Sequence, residues 1–188
     1  MRDLINDISS VLNLIDRCDL DLPDVFINAL VSAEDRRFLF HPGVDPVAIC
    51  RALYKTCSLK RLEGASTIEA QLFRVVTGRR EISLSRKLQE IIAAVVISVL
   101  RGKREIAVAY LDNAFFGYKS RGIRYAADKY MCTLGDASKS DVALLISLIK
   151  RPMTADYCGP RRQHLMRRVA WVSRRIAGRA AEGNDGGA

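Results

Sequence analysis

The sequence predicts a mostly α-helical protein, and three of its features support this. Apolar side chains recur at helical spacing from the start of the chain, beginning with Leu4, Ile8, Val11 and Ile15. Glycines separate the later helical stretches. The sequence lacks β-branched segments that alternate with polar residues and end in hairpin turns. We therefore expect an all-α fold with no sheet.

The predicted helices follow one another along the chain. Asp24, directly after Pro23, can cap a helix that ends near Glu34. The segment 41–46 (HPGVDP) is rich in helix breakers and predicts a turn. Apolar periodicity predicts further helices over 85–100, 103–116, 123–131 and 140–149, and a basic amphipathic helix over 161–179. The small, polar residues 180–188 are expected to form a disordered tail.

The composition fits one domain with a basic surface. A chain of 188 residues, 49% of them hydrophobic, can bury one core of ordinary size, so we predict a single domain over 1–179. Lys and Arg number 30 against 21 Asp and Glu, which gives a formal net charge of +9. Such a surface attracts anions such as nucleic acid, lipid phosphate or pyrophosphate. Charge alone does not choose among these.

Neither a secretory signal peptide nor a membrane-spanning segment is predicted. The first residues carry acidic side chains where a signal peptide has a continuous apolar core. The longest apolar run, 91–100, is about half as long as a transmembrane helix. The chain as written is therefore expected to lack a membrane anchor.

Two carboxylates lie in dense local patterns, Glu34 in EDRRFLFHPG and Glu90 in RKLQE. Both patterns resemble the family 51 peptidoglycan glycosyltransferases. The first motif of that family is Glu-Asp-x-x-Phe-x-x-His-x-Gly, and its third begins Arg-Lys-x-x-Glu. Positions that match the two motifs are Glu34, Asp35, Phe38, His41, Gly43, Arg86, Lys87 and Glu90.

The segment between these motifs, GASTIEAQLFRV, resembles the family's Gly-Gly/Ala-Ser-Thr-Ile-Ser/Thr-Gln-Gln-x-x-Lys-Asn motif. The matching positions are Gly64, Ala65, Ser66, Thr67, Ile68 and Gln71. The chain departs from the motif at Glu69, Ala70, Arg74 and Val75. Arg74 keeps a cation in place of Lys, although a guanidinium fork and an ammonium are not interchangeable. Glu69 is expected to place a negative charge where a pyrophosphate substrate would bind.

The resemblance extends over about 22–175 and is closest to the monofunctional branch of the family, because no transpeptidase follows. It implies a lysozyme-like glycosyltransferase domain with a small flexible lobe, here between Asp45 and Gly64, beside the cleft. It also implies polymerisation of a lipid-linked disaccharide (lipid II) into glycan strands, with release of polyprenyl pyrophosphate. The implied location is the periphery of the bacterial inner membrane, on the cell-wall side.

Roles for individual residues also come from the resemblance. Glu34 would be the catalytic base, and Glu90 would help to position the leaving group, directly or as a ligand of a divalent cation, Mg²⁺ or Mn²⁺. Cations for the substrate pyrophosphate would be Arg74, Arg86 and Lys87. Ser66, Thr67 and Gln71 could hold sugar or phosphate oxygens. The implied partners are the lipid-linked disaccharide, the growing glycan chain, a membrane surface and an anchoring protein, with no nucleic acid.

Other functions stay open at this point. A relative that no longer polymerises could bind lipid-linked substrate or glycan in a regulatory or sequestering role. A lysozyme-like fold with paired carboxylates could instead cleave glycan. A basic nucleic-acid-binding protein is a more distant alternative, because aromatic residues among the arginines of the last helix are limited to Trp171.

Overall fold

The computed structural model describes residues 2–59, 66–78, 83–130, 133–153 and 160–182. Helices dominate these ranges, which confirms the predicted all-α fold class. The α-helices are α1 (Arg2–Asp16), α2 (Asp24–Glu34), α3 (Pro46–Leu59), α4 (Ile68–Thr77), α5 (Leu84–Leu100), α6 (Lys103–Asn113), α7 (Ile123–Tyr130), α8 (Lys139–Lys150) and α9 (Pro160–Glu182). Short 3-10 helices lie at Phe38–Phe40 and Leu134–Asp136.

A small hairpin interrupts the helices, and the prediction of no sheet was wrong here. Strands β1 (Phe115–Gly117) and β2 (Ser120–Arg121) pair antiparallel. The helix predicted over 103–116 therefore ends early, at Asn113. Gly117 has φ +139°, and a Cβ there would lie 2.5 Å from the Met153 carbonyl oxygen, so this position needs glycine. Strands of two and three residues are too short to show alternation in the sequence.

Helix caps fix the helix starts that carry the predicted site residues. The Thr67 hydroxyl accepts a hydrogen bond from the Ala70 amide at the start of α4. Ser83 caps α5 in the same way through the Arg86 amide. Side-chain caps of this kind satisfy amides that have no partner inside the helix. The caps therefore set where the two helices begin.

Helix α3 occupies most of the segment predicted as a flexible lobe. Its first residue is Pro46, whose fixed φ suits the first helical position. The Asp45 carboxylate accepts a hydrogen bond from the Val47 amide at 3.0 Å, in the manner of a cap. Residues 60–65, which complete the predicted lobe and include Gly64 and Ala65, lie outside the described residues. The flexibility of the lobe stays a prediction.

The chain forms two compact units, the first of which comprises Met1–Cys18 and Arg37–Tyr110. In it, α1 packs against α4 and α5, and α4 packs against α5. Val11 and Ile15, on the apolar face of α1, are buried, so this amphipathic helix docks on the core as expected. The buried residues of the other elements include Phe38, Ile68, Leu72, Phe73, Ala93, Ala94, Ile97 and Ile106.

The second unit comprises Asp19–Arg36 and Leu111–Ala188. Helices α2, α8 and α9 pack against one another, and the hairpin packs on α7 and α8. The buried residues include Leu22, Phe26, Leu30, Phe116, Ile123, Leu145, Ile146, Leu165 and Val172. The single domain predicted over 1–179 stays a prediction.

The last helix runs beyond its predicted end. Helix α9 continues through Glu182, whereas the tail was predicted to start at 180. The rest of that tail, 183–188, lies outside the described residues. Across the described ranges, no helix combines the length and the apolar character that crossing a bilayer requires.

Candidate active site

The turn that follows Glu34 along the chain is built by His41 and Gly43 of the first unit. His41 is buried, and its Nδ1 accepts a hydrogen bond from the Gly43 amide at 3.2 Å. Gly43 has φ +91°, and a Cβ there would lie 2.2 Å from the Ala94 carbonyl oxygen. Only glycine allows the turn to approach α5 so closely. His41 therefore orders this turn, which is one structural reason for the His-x-Gly spacing.

Glu69 and Lys103 form a buried ion pair in the same unit. The Glu69 side chain is fully buried, and its Oε1 lies 2.5 Å from Lys103 Nζ. Lys103 Nζ also donates to the His41 carbonyl at 2.8 Å and lies 4.6 Å from the centroid of the Phe38 ring. Sequence reasoning expected Glu69 to present a negative charge to the substrate. In the structure the carboxylate is instead paired with Lys103 inside the fold.

Thr67 and Gln71 make hydrogen bonds within the protein. The Thr67 hydroxyl donates to the Gly43 carbonyl at 2.8 Å, in addition to capping α4. The Gln71 amide oxygen accepts from the Tyr110 hydroxyl at 2.9 Å, and its Nε2 donates to the Ser66 carbonyl at 3.4 Å. Both side chains are buried. Their contacts tie α4 to the turn at Gly43 and to α6.

Glu90 lies at the centre of a group of three cations, here called the Glu90 cluster: Glu90, Arg74, Arg86 and Lys87. Arg74 makes a forked contact, from Nε to Oε1 and from Nη2 to Oε2, each at 3.1 Å. Arg86 donates to Oε1 at 2.5 Å and Lys87 to Oε2 at 3.4 Å. The Glu90 side chain is only 2% exposed. The predicted third motif and Arg74 of the second motif therefore meet in space.

The cations of the cluster keep Glu90 ionised. Burial acts to raise the pKa of this carboxyl group. The hydrogen bond and charge of Arg74, together with the charges of Lys87 and Arg86, outweigh burial, so the pKa lies below its ordinary value of 4.5. Three cations surround one carboxylate, so the cluster keeps a net positive charge that can bind an anionic ligand. Ser66 lies beside the cluster, because Arg74 Nη2 donates to Ser66 Oγ at 3.4 Å.

A divalent cation does not fit at Glu90. Both carboxylate oxygens already accept hydrogen bonds from cationic side chains, which would repel Mg²⁺ or Mn²⁺. Elsewhere in the first unit, His41 and Glu69 offer atoms that could ligate a metal, within 4.8 Å of each other. Lys103 Nζ is bonded to Glu69 there. The described residues around Glu90 therefore give no support to its predicted role as a metal ligand.

Glu34, the last residue of α2, is a buried carboxylate of the second unit. Its side chain is fully buried, and Oε1 accepts a hydrogen bond from Arg168 Nη2 at 2.6 Å. Lys150 Nζ lies 3.1 Å from Oε2 as an ion pair. Among the described residues, Oε2 has no partner with hydrogen-bond geometry. Each oxygen of the carboxylate thus has a cation beside it, Arg168 at Oε1 and Lys150 at Oε2.

The sequence did not identify the cations that hold Glu34. Lys150 ends α8, and Arg168 is one of many arginines in α9, where the sequence indicated only a basic amphipathic helix. Arg168 lies 134 residues from Glu34, and no local spacing connects them. The structure therefore places Glu34 with Lys150 and Arg168 in the second unit. It places Ser66, Arg74, Arg86, Lys87 and Glu90 together in the first.

Comparisons with known proteins find similarity over most of the chain. A family model described as Transglycosylase matches residues 15–177. The chain is 38% identical over 136 residues to penicillin-binding protein 1A of Haemophilus influenzae, which covers 71% of the chain and 16% of that relative. It is 36% identical to penicillin-binding protein 1A of Vibrio cholerae over 136 residues and to that of Escherichia coli over 135, with the same two coverages. The chain thus spans about a sixth of the length of these relatives.

Proposed function

Because the chain belongs to the transglycosylase family, we propose that it polymerises a lipid-linked disaccharide into glycan strands and releases polyprenyl pyrophosphate. The observation that carries this proposal is the Glu90 cluster, in which one carboxylate holds three cations. A site for a departing pyrophosphate needs such an excess of positive charge. The proposal includes the substrate, a lipid-linked disaccharide, and the synthesis of glycan rather than its cleavage.

The proposed reaction transfers one proton and exchanges one bond. Glu34 takes the proton of the 4-hydroxyl of the incoming disaccharide, and the hydroxyl oxygen forms a bond to C1 of the growing glycan. The bond from C1 to the pyrophosphate oxygen breaks, and its electron pair leaves with the pyrophosphate. Glu34 Oε2 is the atom proposed to receive the proton, because its contact with Lys150 Nζ at 3.1 Å lacks hydrogen-bond geometry, whereas Oε1 already accepts from Arg168.

Arg74, Arg86 and Lys87 are proposed to stabilise the charge that develops on the leaving group. Buried Glu90 fixes these three cations in place, so little reorganisation is needed when the charge appears. Glu90 is therefore a positioning residue, which acts on the leaving group only by holding these cations in place. No step of this mechanism passes through Mg²⁺ or Mn²⁺.

The three predicted substrate-binding residues of the second motif receive different proposed roles. Ser66 is half-buried beside Arg74 and is proposed to bind a phosphate or sugar oxygen of the substrate. Thr67 and Gln71 are proposed to position α4, because their polar groups already bond Gly43, Tyr110 and the backbone of Ser66.

Peripheral attachment to the bacterial inner membrane, on its cell-wall side, is part of the proposal because the substrate is a lipid. An exposed apolar stripe on α5, formed by Leu84, Leu88, Ile92 and Val99, supports it. At 100° per residue these four side chains share one face of the helix. In an alternative arrangement, the same stripe would bind an anchoring protein instead of the membrane surface.

One assay tests the proposed function. The purified protein is incubated with lipid-linked disaccharide in detergent, and the products are resolved by length. A ladder of glycan strands with release of polyprenyl pyrophosphate is expected. Binding of substrate without any product would favour a non-polymerising relative, and shortening of added glycan would favour a hydrolase.

A further inference from the structure

A basic cavity in the second unit contains the single tryptophan of the chain. Its volume is about 420 Å³, within the usual range of small-molecule sites. Helix α8 and the residue after it contribute Lys150 and Arg151, and α9 contributes the rest. In the described part of the chain, all lining residues are basic or aromatic: Lys150, Arg151, His164, Arg167, Arg168 and Trp171.

The cavity carries more positive charge than the protein neutralises. Lys150 and Arg168 share one carboxylate, that of Glu34. Across the described ranges, neither Arg151 nor Arg167 forms an ion pair with an acidic side chain. Like charges held at one site repel each other unless an anion joins them. The charge balance of the cavity therefore favours an anionic ligand.

Arg168 presents a second, independent sign of a missing partner. Its Nη2 is bonded to Glu34, but its Nε is buried and has no hydrogen-bond partner among the described residues. Buried donors in folded proteins are nearly always bonded. An oxygen atom of a ligand in the cavity would satisfy this donor.

Trp171 gives the cavity a half-buried aromatic wall. The guanidinium carbon of Arg168 lies 5.2 Å from the centre of its ring system, and that of Arg175 lies 4.3 Å away. Cation–π contacts at these distances hold the guanidinium groups against the indole. A ligand that forms a hydrogen bond with Arg168 should therefore change the environment of the indole ring. The fluorescence of Trp171 can then report binding.

We propose that this cavity binds a phosphate or pyrophosphate group, in addition to any ligand of the Glu90 cluster. Guanidinium forks match phosphate oxygens in geometry and charge, and the cavity is lined by three arginines. The group can come from a water-soluble phosphate compound or from the headgroup of an anionic phospholipid. Binding requires no polymerisation, so it can be measured even if the protein has no transferase activity.

The test follows Trp171 fluorescence in the whole chain at constant ionic strength. The probes are inorganic phosphate, inorganic pyrophosphate, vesicles that contain phosphatidylglycerol and vesicles of phosphatidylcholine alone. A saturable change with a soluble probe supports the proposal with a soluble source. A change with phosphatidylglycerol vesicles only supports it with a headgroup source. No saturable change with any anionic probe, or an equal change with phosphatidylcholine, overturns it.

Two matched variants locate the binding. Arg167→Gln removes a lining cation that is not paired with Glu34, and should weaken binding roughly tenfold, as expected for the loss of one charged hydrogen bond. Arg162→Gln makes the same change on α9, about 140° around the helix from Arg167 and outside the cavity, and should leave affinity unchanged. Equal weakening in both variants would reveal general charge attraction and overturn the proposal. If Arg167→Gln does not fold, Arg151→Gln, which removes the other lining cation that has no ion pair among the described residues, replaces it.

Discussion

Lys103 Nζ lies 2.5 Å from Oε1 of Glu69, and the Glu69 side chain is fully buried. This pair explains how the chain tolerates a carboxylate in a motif that usually carries Ser or Thr there. The cation comes from the first residue of α6, which also bonds the His41 carbonyl of the first motif. Glu69 is therefore part of the scaffold that joins the motifs.

We predict that Lys103→Met lowers the free energy of unfolding by roughly 3 kcal/mol, because it leaves the buried Glu69 carboxylate without its cation. Glu69→Gln added to Lys103→Met should recover part of the loss. Urea denaturation of the two single variants and the double variant measures this coupling. Lys139→Met, at an exposed position of α8, is the control and should change little. Strictly additive losses would show that the two side chains do not interact.

Glu34→Gln should reduce polymerisation by a factor of about 10² to 10⁴, as expected for loss of a general base. The amide keeps the shape of the side chain but cannot take the hydroxyl proton at neutral pH. Product length and release of polyprenyl pyrophosphate are measured, with circular dichroism to verify folding. Glu105→Gln makes the same chemical change at an exposed position and should retain activity. A folded Glu34→Gln protein with full activity would exclude this residue as the base.

The Glu90 cluster should stabilise the protein in a pH-dependent manner. The pKa of Glu90 is lower in the folded protein than its ordinary value of 4.5. Its ion pairs therefore contribute their full stability above about pH 4.5 and lose it as the pH falls through the lower folded pKa. The difference in unfolding free energy between the wild type and Glu90→Gln should be constant near neutral pH and shrink below 4.5.

The measurement is chemical denaturation of both proteins from pH 7 to about pH 3. Asp128→Asn, a change at an exposed carboxylate of α7, serves as the control and should show a smaller pH-dependent difference. A difference between wild type and Glu90→Gln that grows on acidification would contradict the assigned direction of the pKa shift.

Gly43→Ala should destabilise the first unit by more than about 1 kcal/mol, since its φ of +91° disfavours a side chain and the new Cβ would overlap the Ala94 carbonyl. Thermal unfolding measures the loss. Gly178→Ala is the control, because that position is helical and has no atom within 4 Å of the added Cβ. It should leave stability unchanged or raise it by up to about 1 kcal/mol. Similar melting temperatures for Gly43→Ala and the wild type would refute the close approach of this turn to α5.

Leu88→Glu should weaken binding to vesicles that contain phosphatidylglycerol, because it places a charge in the exposed apolar stripe of α5. Co-sedimentation at low salt measures the bound fraction. Tyr125→Glu makes the same kind of change at an exposed aromatic residue on α7, outside the stripe, and should bind vesicles better than Leu88→Glu does. Full binding by Leu88→Glu would remove the stripe from the proposed membrane surface.

Local patterns in the sequence were enough to predict the helical class, the end of α2 near Glu34 and the positions of the three motifs. Apolar periodicity, capping residues and glycines act over a few neighbouring positions, so they can be recognised in the sequence. The hairpin at Phe115 escaped prediction because its strands are too short to carry a pattern.

Which side chains come into contact could not be predicted from the sequence, because the partners lie far apart along the chain. Lys103 is 34 residues from Glu69, Tyr110 is 39 from Gln71, and Arg168 is 134 from Glu34. For the two carboxylates, the sequence contains several arginines and lysines that could have been the partner. The packing of the helices determines which cations lie near each carboxylate, because burying a carboxylate without a cation beside it is strongly unfavourable.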